Sequence, residues 1–184
     1  MWTRGILLLS LLGAGVMGGG ALTPRRVNQL RLYIELDGTL RAPLVLRDAQ
    51  DGFAGQTGEI WTIAPGGHFS IARFVNENIN APRWQRDLTL VERRDLANLL
   101  SAHHLLSLPA ALGGDPKVNA HSLTLSFGKL KSEMKLGAGE DPTQAKAPPE
   151  GESQAGPWRD FAAIVRALEA LAKDRDASES PVHT

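Results

Sequence analysis

Leu123, Leu125 and Phe127 alternate with polar residues, Gly128 and Lys129 follow, and Leu130, Ser132, Met134 and Leu136 resume the same period. Side chains change face at every residue only along a strand, so each run is a strand with one apolar face. Glycine first in a two-residue connection suits a type II′ turn, which folds the runs into a hairpin. An apolar sheet face must be covered, and the chain carries its own cover. Trp158, Phe161, Val165, Leu168 and Ala172, flanked by Ile164 and Leu171, form one helical stripe that opens beside Pro157, a residue suited to a first helical position. A lone helix of that length is marginal in water. Burying its large side chains, at roughly 1.5–3 kcal/mol each, gives about 10 kcal/mol as an upper bound. The helix therefore docks on the sheet.

The remaining segments fill in an α+β domain. Leu30, Leu32, Ile34 and Leu36 alternate, and Asp37 and Gly38 form the dipeptide of a type I′ turn. Residues 39–47 then read as a returning strand, which Pro43 places at an edge or a bulge. Glycine-rich residues 51–58 connect it to a short strand in "EIWTIAP", and Gly66 and Gly67 turn the chain into another in "HFSIARFV". The polar stretch "NENINAPRWQRD", broken by Pro82, reads as a loop. A helix follows, with Thr89 and Glu92 spaced as a capping box and Leu96, Leu99, Leu100 and His103 on one stripe. Pro109 ends it. The expected fold is an antiparallel sheet of about five or six strands with two helices packed on one face.

The ends and the linker have a different composition. Residues 1–21 pair Arg4 with an apolar stretch over residues 6–12 and small residues over 18–21, the layout of a cleavable secretory signal peptide. The stretch is shorter than the roughly 20 residues of a membrane span. The chain has no cysteine, hence no lipid anchor of the lipobox type and no disulfide. An exported domain over residues 22–136, periplasmic or extracellular, must then be stabilised by packing alone. Residues 137–156 hold almost no apolar side chain larger than alanine and read as a disordered linker to a helix over 157–174. Residues 175–184 read as a disordered tail.

Several chemistries lack their residues. Lys plus Arg and Asp plus Glu number 20 each, so no net field draws the chain to nucleic acid, or to a membrane once the signal peptide is gone. The glycines of residues 52–58 end in Glu59, where a phosphate loop needs Lys and then Ser or Thr. His103 and His104 are adjacent and point about 100° apart on a helix, a poor start for a metal site. His103, on the leucine stripe, reads as a semi-buried core residue, while His68 and His121 begin strands. No G-x-S-x-G elbow accompanies the serines, and no thiol nucleophile exists. The expectation is a non-enzymatic protein with no metal and no cofactor.

What remains is the glycine turn: Asp51, Gly52, Phe53, Ala54, Gly55 and Gln56. Gly52 and Gly55 each allow a positive φ or close backbone approach. Two readings stand open. Phe53 plugs the core, or a rigid loop offers Phe53 and Ala54 to a partner while Asp51, Gln56 and Thr57 form its polar edge.

The string "DGFAG", followed by a capped helix, a strand hairpin and a last amphipathic helix, resembles the emfourin-type family of small bacterial proteins, whose early motif is "GGFAG"-like. The resemblance spans roughly residues 44–172. Gly52, Phe53, Ala54 and Gly55 match the motif, and Asp51 stands where the family has its first glycine. The signal peptide, an extra N-terminal strand, the stretch over residues 75–86 and the linker depart from the family pattern. The resemblance implies a protein partner, namely a thermolysin-like metalloprotease that such a domain inhibits. The alternative function is a structural or envelope-associated interaction protein.

Overall fold

The computed structural model describes residues 31–114, 116, 119–138, 140–141, 143–144, 148 and 152–173. The expected signal peptide, the tail over residues 175–184 and much of the expected linker lie outside these residues. Seven strands form one mixed, mostly antiparallel sheet: β1 (Leu44–Gly52), β2 (Gly55–Ile63), β3 (His68–Val75), β4 (Asn78–Asp87), β5 (Ala111–Gly113), β6 (His121–Phe127) and β7 (Leu130–Leu136). Their spatial order is β4-β3-β2-β1-β6-β7-β5, and only the short β5 runs parallel to its neighbour. Helices α1 (Leu90–Ala102) and α2 (Ala155–Leu171) complete the α+β fold.

The register explains why one face is buried. One row across the sheet reads Leu130, Phe127, Leu44, Ile63, Phe69 and Arg86; the next reads Ser132, Leu125, Leu46, Trp61, Ile71 and Trp84. Both rows face the helices. Leu96 and Leu100 of α1 and Trp158, Phe161, Ile164, Val165 and Leu168 of α2 join these residues in one continuous core. Aromatic contacts knit the β3 side, with Phe69 edge-on to Trp84 at 5.3 Å between centroids. Ser132, the polar member of the second row, donates from its hydroxyl to the Pro109 carbonyl at 2.6 Å, so its burial leaves no unmet donor.

Arg86 ends the first row at the sheet edge and reaches into the helix layer. Its guanidinium forks onto both carboxylate oxygens of Glu92, at 2.9 and 2.7 Å, and also donates to the Leu171 carbonyl at 2.9 Å. Glu92 closes the expected capping box, accepting from the Thr89 amide while Thr89 Oγ1 accepts from the Glu92 amide. One side chain thus holds an edge strand, the start of α1 and the end of α2.

Several expectations need correction. Seven strands are present rather than five or six. The N-terminal hairpin shrinks to a single bridge between Ile34 and Leu40, and the returning strand begins only at Leu44. Ile34 turns into the core, as does Leu40 across the bridge, while Leu32 and Leu36 stay in solvent, so the described part of the alternation holds one anchor and is not a strand. The loop expected over residues 75–86 is mostly β4. Its polar side chains are those of an exposed edge strand, and Pro82 sits where the ladder shifts register. Helix α2 starts at Ala155, which puts Pro157 at its third position, still within the first turn where no backbone donor is lost. Its N-cap, Gln154, makes no capping bond but accepts from the Gly113 amide at 3.0 Å, fastening α2 to β5.

Two outcomes follow. Phe161→Ala, with that ring fully buried, should cost about 3–5 kcal/mol in a denaturant melt. Glu92 is held down to a pKa of about 2, first by the Arg86 hydrogen bond. A depressed carboxylate stabilises the fold above its unfolded value, and that contribution is lost as pH falls through about 2. Urea melts from pH 7 to pH 2 should therefore show Glu92→Gln weaker than wild type at neutral pH, with the gap closing at the acid end.

Candidate functional site

The inner face is apolar only over its first two rows. In the third, Leu112, Met134 and Leu123 give way to Asp48, Glu59 and Arg73; the fourth holds Leu136, His121, Gln50, Thr57 and Val75. Four connecting segments gather at this end, with described residues 53–54, 76–77, 119–120, and 137–138 with 140–141. Of the six expected site residues, Phe53 and Ala54 form the first of them and the other four are the last two rungs of its strands.

Asp51 and Gln56 are cross-strand partners, as are Gly52 and Gly55, which leaves Phe53 and Ala54 as a two-residue turn. Residues 51–58 are therefore not a connecting loop but the end of a regular hairpin. Neither Phe53 nor Ala54 has positive φ, whereas Gly55 has φ +106°. A turn of that kind closed by one left-handed glycine bends two strands together with a single special residue. Gly52 keeps a strand conformation, so the expectation of φ > 0 holds for Gly55 alone.

The turn is fixed from beneath. Gln56 Nε2 donates to Asp51 Oδ1 at 2.8 Å. The Gln56 amide donates to Asn76 Oδ1 at 2.9 Å, and the Asn76 amide returns a bond to the Gln56 carbonyl at 2.6 Å. Arg47 donates to the Asn76 carbonyl at 3.0 Å and lies over the Phe74 ring, 3.7 Å from its centroid. Gly58 leaves room for that ring, since a Cβ there would run into the Asp48 carbonyl and touch Phe74. On the other flank the Asp51 amide donates to the Ala120 carbonyl, and Gln50 Nε2 donates to that of Asn119.

Phe53 itself touches none of this. Its accessible area is 111% of the reference value, so the core-plug reading is overturned. The reason is register: Gly52 and Gly55 still pair, and the two residues between them project beyond the last rung. Val75 and Ile79, also exposed, flank the neighbouring turn. A turn of this type favours Asp, Asn, Ser or Pro for conformational reasons, and none of those reasons selects phenylalanine.

The sequence reading missed Asn76, Arg47 and the segment over residues 119–120 as supports. Asn76 had a local signal, because asparagine tolerates the left-handed φ of 56° it adopts between Val75 and Asn78. Asn119, with φ 47°, carries the same signal, whereas Arg47 had none and only strand pairing brings it there.

The histidines are placed apart. His103 is half-buried, as expected, and pairs with Asp160 at 3.0 Å, joining α1 to α2. His68 pairs with Asp87 at 2.9 Å on the opposite end of the sheet. His121 Nε2 meets Asp48 Oδ1 at 2.7 Å, and its pKa is raised, chiefly by that hydrogen bond. Among the described residues no three His, Asp or Glu side chains are grouped to hold a metal ion, and no helix is long and apolar enough to cross a membrane. No family model matches this chain, and no curated protein matches it at significant similarity.

Gly55 and Gly52 separate the turn's mechanics. A Cβ on Gly55 would collide with Asn76 Oδ1, whereas one on Gly52 meets only the Gly55 carbonyl at 3.6 Å. Gly55→Ala should lose about 1 kcal/mol or more in thermal melts, while Gly52→Ala stays within about 0.5 kcal/mol of wild type.

Proposed function

We propose that the chain is a non-enzymatic, exported binding domain that presents the Phe53 turn to a protein partner. Inhibition of a thermolysin-like metalloprotease, in the manner of the emfourin-type proteins it resembles, is the specific form of that activity. The observation that carries the reading is a fully exposed phenylalanine on a turn held by bonds from Asp51, Gln56, Asn76 and Arg47. An apolar side chain on a fixed support loses little entropy on binding, which is the advantage of a pre-organised anchor. The surrounding polar edge of Asp51, Gln56 and Thr57 supplies hydrogen-bonding groups around it, as in a rim.

The alternative, a structural or envelope-associated interaction protein, would be favoured by an apolar helix left free to dock on a larger assembly. Trp158, Phe161, Val165 and Leu168 are buried within the chain's own core, so α2 no longer supports that reading.

Phe53→Ala tests the proposal. Its denaturant midpoint should stay within about 0.5 kcal/mol of wild type, because the ring is bare. Binding should weaken by about 2 kcal/mol or more, as for an interface aromatic. Inhibition assays against several thermolysin-like proteases and capture from envelope extract measure it. Wild-type protein that inhibits none of these proteases removes the inhibitor reading; capture of the same partner equally well by Phe53→Ala removes the turn as the site.

A further inference from the structure

His121 differs from the other paired histidines in one respect. For His68 and His103 a single ring nitrogen meets a carboxylate. In His121 both ring nitrogens face acceptors: Nε2 lies 2.7 Å from Asp48 Oδ1, and Nδ1 lies 2.6 Å from the Glu140 carbonyl. A neutral imidazole has one N–H and one lone pair, so it can satisfy only one of these oxygens. The imidazolium donates to both. The proton belongs on the ring, because an imidazole is ordinarily a stronger base than a carboxylate. The ring is well enclosed, with its side chain 13% exposed, so water cannot readily stand in for a lost partner.

Burial works against the charged form, but the acidic and hydrogen-bonding neighbours outweigh it and the His121 pKa is raised. From β1 comes Asp48; from the chain after β7 come the Glu140 carbonyl and Asp141, both of which raise the His121 pKa. Across β6 the rung partners are Gln50 and Leu136, which carry no charge. Beyond Asp48, Glu59 pairs with Arg83. Glu140 in turn is bound to the sheet end: its carboxylate accepts from the Gly137 amide at 3.0 Å, and its own amide donates to the Gly137 carbonyl. Asp141 holds the next turn through Thr143.

We propose that His121 is a pH-operated latch: as imidazolium it clasps Asp48 of the sheet and the Glu140 carbonyl together, and on losing its proton it lets Glu140 go. The anion Asp48 keeps the remaining N–H, because a bond to a carboxylate is stronger than one to a neutral carbonyl. Deprotonation therefore opens the Glu140 side of the latch and leaves the sheet intact. The linkage has a definite sign. A histidine whose folded pKa is raised stabilises the fold fully below its unfolded value of about 6.5, and that contribution is lost as pH rises through the folded value.

NMR on the intact chain decides the matter. The ring nitrogen shifts of His121 should show both nitrogens protonated at pH 6, with a titration midpoint above 6.5. Above that midpoint, exchange at the Glu140 amide, corrected for its intrinsic pH dependence, should speed up about tenfold, the size of one charge-assisted bond. His121→Gln should exchange rapidly at every pH, and Asp48→Asn should lower the midpoint. A ring that is singly protonated at pH 6 overturns the proposal. So does Glu140 exchange that ignores the His121 titration. If His121→Gln fails to fold, the wild-type titration and exchange still decide.

Discussion

A domain without cysteine must hold two helices on a sheet through packing and a few well-placed polar contacts, and the contact of Arg86 with Glu92 and Leu171 is the one that meets every layer. Its position follows from register. Arg86 pairs with Phe69, so it ends an otherwise apolar row and faces the helices rather than solvent. Its neighbours then give the guanidinium a carboxylate at the start of one helix and an open carbonyl at the end of another. The Leu171 carbonyl is a terminal group that a helix cannot satisfy by itself. A cation near the C-terminus of α2 also opposes the partial negative charge there. Packing supplies most of the stability, and this arrangement ties the edge strand to both helices.

At the far end the inner face is buried on its β5–β7 side, by Leu112, Met134 and Leu136, and turns polar beyond it. There the inner rows change from Leu, Phe and Ile to Asp48, Glu59, Arg73 and His121. A sheet end of this kind ought to be soft, yet it is cross-braced on both sides. Asn76 of one hairpin bonds Gln56 of the next, and the Asn119–Ala120 backbone bonds Gln50 and Asp51. The bare Phe53 thus rides on a stiff mount, while the Glu140 turn beside it hangs on a protonated histidine. The first suits a constant binding feature, the second a condition-dependent one.

Local signals located what local chemistry governs. The capping box at Thr89 and Glu92, the hairpin turn at Gly128 and Lys129, and the stripe from Trp158 to Ala172 all recur in the structure, because each depends on neighbours within a few residues. The misreadings share a cause. "NENINAPRWQRD" looked like a loop because an edge strand exposed on most sides has the composition of one. The segment before Asp37 looked like a strand because one buried anchor, Ile34, and two exposed leucines, Leu32 and Leu36, happened to fall at even spacing.

The sequence by itself determined the α+β class, the burial of α2 and the six residues of the glycine turn, since period, capping and glycine geometry are properties of short segments. Tertiary structure alone decided whether Phe53 faced core or solvent. That outcome hangs on whether Gly52 and Gly55 pair, which in turn follows from the long register of β1 against β2 and β6. It also placed Asp48 and Glu140, 73 and 19 residues from His121 in the chain, on either side of one imidazole. No spacing rule encodes such a meeting, because the distance between strands in space is set by pairing order and not by their separation along the chain.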